Sequence, residues 1–363
     1  MALKLEPLTP AKIAQWDSLV SGFPQRSVFH RQAWFNCLSE IEQAEWRYWA
    51  VTDGGRIVGY FAGGIIQRGP FRILGSPLRT WRTNHIGPLL EDGVDGTEFV
   101  NAVEDLARDE HLSMIEIEYP GMTHAAYEAA GFNCHQTWTH QLTLSASSPE
   151  MMRRMSSGRR HGIRRAIRSG LEVVECEDAA FRVYDQLSRA LASKRAACPF
   201  SLEFPQAIVR NLKAQNLLFT LGVRNPDGEV IAAGLFPHDN GTVFLWECSS
   251  ELEGRNLHPN DLLHWGLMCR AAELGIGSYD MSGYGRFNKA FGSRLVSVHR
   301  WNKCYSLSAR YARQLYEEFL RLNRRGNIFS RLLRPSGGPS MATYAESHAA
   351  NHARNHDKNH HLL

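Results

Sequence analysis

Asp280, Lys289 and a run of arginines are the residues of this chain whose types and spacing could do chemistry. Asp280 follows an aromatic at the end of a short strand-like run and precedes Ser282-Gly283. A carboxylate there can accept a proton from an attacking amine. Its ordinary role at such a place is to cap the turn that follows. Lys289 stands between Phe287 and Phe291, so apolar anchors flank a charge. Glu247 lies inside the apolar run FLWEC and either faces solvent or serves as a partly buried base. Alternation gives Glu247 and Trp246 opposite facings, so one of the two can line a cleft. Tyr284 and Tyr305 could protonate a leaving group, although lone tyrosines are a weak signal.

Positive charge concentrates in MMRRMSSGRRHGIRRAIRSG, residues 151–170, which holds seven arginines and no acid. On a helix Arg160, Arg164 and Arg168 recur at i, i+4 and i+8 along one side, and Arg153 falls outside that stripe. Like charges at this spacing repel. An anion would offset the cost, for example the phosphates of a cofactor, of a nucleotide-linked precursor or of tRNA. A solvated charged face explains the run equally well. Further on, His258-Pro259-Asn260 opens another helix. Its first N–H groups lack partners within the helix and can bind a phosphate or a carbonyl oxygen. Asn260 or His258 could cap it. Leu262, Trp265, Cys269 and Ala272 form its core stripe, and His264, one step off, reads as a packed or surface histidine.

The elements that must position these groups alternate between helices and antiparallel strands. Residues 11–42 have helical apolar spacing. Trp46–Thr52 and Arg56–Ile66 flank Asp53-Gly54-Gly55, a good hairpin signal. Short strands over 71–90, a helix over 98–110, a strand over 113–119, a helix over 124–130 and a strand over 134–144 follow. Ser145–Glu150 is small and polar, as a linker would be. After the arginine run the pattern repeats in outline, with a strand over Thr242–Cys248, the helix after Asn260 and a strand over Ser278–Met281. Two copies of one α+β unit are therefore expected, with boundaries at 1–145 and 146–306. A basic amphipathic helix over 307–335 and a disordered His/Asn-rich tail over 336–363 complete the expected organisation.

The bulk numbers narrow the classes. With 363 residues, 43% hydrophobic and 21% charged, the chain can build one large or two medium cores. The net charge of +4 is mildly basic and mostly local, and no DNA partner is expected. Seven scattered cysteines without a CxxC pair read as reduced thiols, and no metal site is expected, the His-rich tail included. No secretory leader is evident, and no apolar run approaches the ~20 residues that cross a bilayer. A cytoplasmic protein is expected, peripheral at most at the inner face of the membrane through 308–334. Nucleophile elbow, P-loop, HExxH and full GxGxxG motifs are missing, so hydrolase, kinase and Rossmann readings lose support.

Several segments, taken in order, resemble the FemABX-like, BioF2-like branch of the GNAT acyltransferase superfamily. They are SVFHRQAWFNCL with RYWAVTDGGRIVGYFAGGI, then AAYEAAGF, RRHGIRRAIRSGLEV, HPNDLLHWGLMCRAAELGIGSYDMSG and RFNKAFGS, spanning about residues 20–306. The resemblance implies tandem GNAT-like domains with mixed, mostly antiparallel sheets flanked by helices. It implies transfer of an acyl group, acetyl above all, to an amine of a cell-envelope polysaccharide or glycan precursor. Aminoacyl-tRNA-dependent transfer to a peptidoglycan precursor is the alternative it also implies. Lys289 matches the family's FK-type lysine and is expected to contact donor phosphate, here with Asn288 before it and Phe287 one place earlier. The acyl-CoA loop pattern Q/R-x-x-G-x-G/A is absent before the helices at 97 and 260. Acyl-CoA and aminoacyl-tRNA are thus the two candidate donors. A third reading is a non-catalytic GNAT-fold protein that binds an anionic nucleotide and regulates envelope polymer synthesis.

Overall fold

The computed structural model describes residues 2–119, 124–194 and 196–325. In chain order the elements of the first part are β1 (Lys4–Pro7), α1 (Pro10–Ile13), α2 (Trp16–Leu19), α3 (Gln32–Glu42), β2 (Glu45–Asp53), β3 (Arg56–Arg68), β4 (Phe71–Ser76), β5 (Leu89–Leu90), α4 (Gly96–Asp109), β6 (Met114–Glu118), α5 (His124–Ala129) and β7 (Asn133–Thr143). There follow α6 (Ser148–Arg154), α7 (Ser157–Arg168), β8 (Glu172–Glu175), α8 (Ala179–Ala192), α9 (Glu203–Leu212), β9 (Leu218–Arg224), β10 (Val230–Asp239), β11 (Thr242–Phe244), β12 (Glu247–Ser250), α10 (Pro259–Glu273), β13 (Ser278–Asp280), α11 (Arg286–Lys289), β14 (Arg294–Cys304) and α12 (Leu307–Arg325). The chain forms two compact units, residues 2–137 with 297–325, and Trp138–Val296.

In the first unit the strand order is β1-β2-β3-β4-β6-β14, with β5 on β3. The pairings are antiparallel except β4 with β6, which are joined through α4. The β2–β3 hairpin turns at Gly54 and Gly55, both at positive φ, as the sequence signal implied. Residues 11–42 are helical only in pieces, because Pro24 breaks the pattern and Ser27 caps a separate short turn, Val28–His30. Trp49, Phe61, Phe99, Ile115, Ile117 and Trp301 form part of the core. The alternate residues of β6, Glu116 and Glu118, are buried too. Each accepts a backbone N–H, from Arg79 at 2.6 Å and from His85 at 2.7 Å. Arg300 pairs with both carboxylates. Burial alone would push the Glu118 carboxyl up, but Arg300 and His85 outweigh it and hold it at about 2.

In the second unit the order is β7-β13-β11-β10-β9-β8, with β12 on β10. Here β11 and β13 are the parallel pair, connected through α10. Each unit therefore contains a strand, a helix and a parallel strand within an otherwise antiparallel sheet. The core of this unit includes Ile163, Phe219, Phe236, Leu263, Leu267 and Phe291. The contacts move the chain between units at 137/138 and at 296/297, whereas the sequence suggested 145 and 306. Its last strand goes with the first unit because Arg300–Cys304 registers on Met114–Glu118. The expected linker 145–150 already contains the start of α6. Residues 326–335 of the expected C-terminal helix, and the tail 336–363, lie outside the described residues.

Candidate active site

Two strands part company in the middle of the second unit. The strand read over Thr242–Cys248 is two strands, β11 and β12. Both pair with β10, but Phe236 and Pro237 oppose the three residues Phe244–Trp246, so a bulge separates them. Pro237, which has no N–H, sits at the break. The parallel pair β11–β13 ends at Phe244 opposite Asp280, and Leu245 N–H donates to Asp280 O at 2.8 Å. Beyond that bond, β12 pairs only with β10 among the described residues. Its other edge has no strand partner among the described residues.

Asp280 lies at the parting, fully buried. Its carboxylate accepts from Thr139 Oγ1 at 2.5 Å, Gln141 Nε2 at 3.1 Å and the Ser282 N–H at 2.8 Å. The turn-capping role is thus filled. That turn carries Tyr284, whose ring stacks on His140 at 6.0 Å, and leads to α11, where Lys289 is exposed. Of the FLWEC pair, Trp246 points into the interior, 5.2 Å from the rings of both Phe200 and Phe204. Glu247 is half-buried at the first position of β12, its carboxylate accepting from Cys248 N–H at 3.1 Å.

The arginine run divides by function along α7. Arg159, passed over in the periodic stripe, is the inward one. It forms an ion pair with Asp261, donates to Phe287 O at 3.1 Å and lies 4.0 Å above the Phe287 ring and 4.5 Å above Phe291. One side chain thus ties α7, the first turn of α10 and the segment after β13 together. Burial pushes the Asp261 carboxyl up, against the opposing pull of Arg159 and His258. Gly162 makes the approach possible, since a Cβ there would collide with the Asp261 carboxylate. The signal was available: Arg159 stands four and seven residues before Ile163 and Ala166, on their buried face.

Arg160 folds back on the Arg153 and Met155 carbonyls, and Arg164 and Arg168 are exposed. Arg153, Arg160 and Arg164, with Pro149 and Met152, line a depression of about 560 Å³. Arg153 therefore joins the group from which its spacing had excluded it, because α6 ends and the chain turns before α7 begins. Arg168 lies outside the depression, its Nε donating to Arg164 O at 3.3 Å.

At the start of α10, neither predicted cap caps. His258 occupies the cap position with φ 61°, and its Nδ1 lies 3.3 Å from Asp261 Oδ2. Asn260 donates to Ser250 Oγ at 3.2 Å. His264 is packed, as expected, between Tyr279 OH at 2.8 Å and Cys248 Sγ at 3.6 Å. Burial, assisted by the Arg159 charge, lowers it to about 3, so it is neutral. Among the described residues no cluster could hold a metal ion, and no helix is long and apolar enough to cross a membrane.

Residues 157–290, which include the parting, α7 and α10, match the family model of an acetyltransferase (GNAT) domain. That segment is similar to GNAT acetyltransferase domains. No curated protein matches significantly. Among solved structures, FemX superposes with a TM-score of 0.64 at 13% identity, covering 81% of this chain and 96% of FemX. A tandem GNAT protein from the clavulanic acid biosynthesis pathway gives 0.51 at 14%, covering 84% and 99%. A conserved protein of unknown function from Bacteroides thetaiotaomicron gives 0.53 at 9%, covering 84% and 100%. At these identities the likeness is one of fold, the tandem GNAT fold that the sequence led one to expect.

Proposed function

We propose that the protein is an N-acyltransferase that moves an acyl group, acetyl above all, from acyl-CoA to an amine of a cell-envelope glycan precursor. The observation that carries this reading is the parting of β12 from β13 inside the family-matched segment. An unpaired strand edge offers backbone N–H and C=O groups to an extended ligand. The amide-bearing arm of an acyl carrier is such a ligand. In this reading its phosphates reach the depression of Arg153, Arg160 and Arg164, where guanidinium groups bind phosphate oxygens strongly. Lys289 serves the same anion from α11, with Arg168 further along α7. Backbone N–H groups at the parting and near Asn260 stabilise the oxyanion. Tyr284 is placed on the turn to protonate the leaving atom. Glu247, first on β12 at the parting, orients the amine. Asp280 keeps the turn in place, and His258 keeps the start of α10 against Asp261.

A second reading is aminoacyl transfer from tRNA to a peptidoglycan precursor. It is favoured by the exposed arginines at 164, 165 and 168, a longer basic track than one depression requires. Purified protein is incubated with acetyl-CoA and an amino-sugar acceptor, or with alanyl-tRNA and a peptidoglycan precursor, with and without ribonuclease. Ribonuclease-resistant, acetyl-CoA-dependent acylation of the amine supports the first reading. Ribonuclease-sensitive transfer supports the second, and no transfer from either carrier refutes both.

A further inference from the structure

We propose that His140 takes the proton from the attacking amine. This rests on the acyl-transfer reading. His140 lies on β7, one residue from the pairing of Gln141 with Asp280. Its backbone fastens the turn after β13, donating to Gly283 O at 3.1 Å and accepting from Met281 N–H at 2.8 Å. Alternation turns Thr139 and Gln141 toward Asp280 and puts His140 on the other face, with Leu142. No sequence motif marked it.

Its tautomer is assigned with the Ser293 hydroxyl hydrogen placed on Asn288 O. Ser293 Oγ has one hydrogen and donates it to Asn288 O at 3.0 Å. At 2.8 Å from His140 Nδ1, the hydroxyl can then only accept. Nδ1 therefore carries the ring proton, and Nε2 carries a lone pair. That nitrogen has no hydrogen-bond partner among the described residues, although the residue is only 4% exposed. Tyr284 stacks on the ring within 13° of parallel, and the charges of Lys289 on α11 and Asp280 on β13 act on it. Burial lowers the imidazole below its ordinary value. The Lys289 charge adds to that and Asp280 opposes it, so the ring is neutral near pH 7. The competing groups are committed: Asp280 already accepts from three donors, and His264 has a partner on each ring nitrogen.

The step balances without a further reactant. The amine nitrogen attacks the carbonyl carbon and a C–N bond forms, while one N–H proton passes to His140 Nε2. The bond from the carbonyl carbon to the carrier's sulfur or oxygen then breaks, and the departing atom keeps the electron pair. Tyr284 gives its hydroxyl proton to that atom and recovers the one held on Nε2, which leaves an amide, a protonated carrier, a neutral phenol and a neutral imidazole. Ser293 is a positioning residue that holds the tautomer.

The test is His140→Asn, whose Nδ2 can still donate to Ser293 while the lone pair at Nε2 is gone. With acetyl-CoA and glucosamine as probes, kcat falls roughly 100- to 10,000-fold, the KM for acetyl-CoA hardly changes, and the acidic limb of the pH profile disappears. Ser293→Ala gives a smaller loss and moves that limb. An active wild type with His140→Asn at the same kcat, or with the acidic limb intact, overturns the inference alone. A wild type inactive with both acetyl-CoA and alanyl-tRNA overturns the acyl-transfer reading and this inference with it.

Discussion

Gly162→Ala separates two opposing predictions at one atom. Helix propensity alone favours the substitution by about 1 kcal/mol, since glycine is the poorer helix former. The packing of α7 on α10 opposes it. A Cβ at 162 would lie 3.2 Å from Asp261 Cγ and 3.1 Å from His258 Nδ1, and closer still to Asp261 Oδ2. The carboxylate has little room to yield, because Arg159 grips its other oxygen and is itself pinned to Phe287 O. Overpacking of this kind costs about 1–3 kcal/mol. Loss of the buried Arg159–Asp261 pair adds toward the 3–5 kcal/mol seen when one partner of such a pair is removed. The net expectation is a destabilisation of about 2–4 kcal/mol after the helix gain is subtracted. Gly158→Ala is the control on the same helix, since a Cβ there meets nothing within 4 Å. Denaturant unfolding of the two variants gives the sign from the midpoints at constant slope. A Gly162→Ala protein as stable as Gly158→Ala would refute the close approach of the two helices.

Three further outcomes follow from the buried charges. His30 and His264 are each held at about 3 by burial, against 6.5 in an unfolded chain. Unfolding then takes up protons between those values, so stability is lost as pH falls below 6.5, by about 2 kcal/mol per histidine at pH 5. Melting temperatures from pH 7.5 to 5 check this, and a flat profile contradicts it. Arg300→Ala leaves Glu116 and Glu118 buried without their shared cation and should cost about 3–5 kcal/mol in chemical denaturation. Asp280→Asn keeps one acceptor oxygen for Thr139 and Ser282 but sets an NH2 donor against Gln141 Nε2, and should cost about 1–3 kcal/mol. An unchanged midpoint would show that the carboxylate is not structural.

Local signals were legible in the sequence where backbone chemistry is local. The Asp53-Gly54-Gly55 hairpin, the helix after His258 and the strand ending at Asp280 all stand where the residues suggested. Tertiary packing decided the rest. The apolar run 242–248 gives no sign of its bulge, because the bulge depends on Pro237 in a neighbouring strand. Arginine spacing alone selected the outward stripe and missed Arg159, whose importance comes from Asp261, 102 residues away. His140 was hidden for a similar reason: its tautomer is set by Ser293, 153 residues further along. The residues opening the helix suggested a cap at Asn260 or His258, yet both side chains turn to other partners instead.

The most direct test is a crystal structure of the protein with acetyl-CoA bound. The carrier's amide arm is predicted along the open edge of β12, with the acyl carbonyl beside His140 and phosphates against Arg153, Arg160 and Arg164. A carrier bound away from the parting of β12 and β13, or no carrier bound at saturating acetyl-CoA, would contradict the proposed reaction.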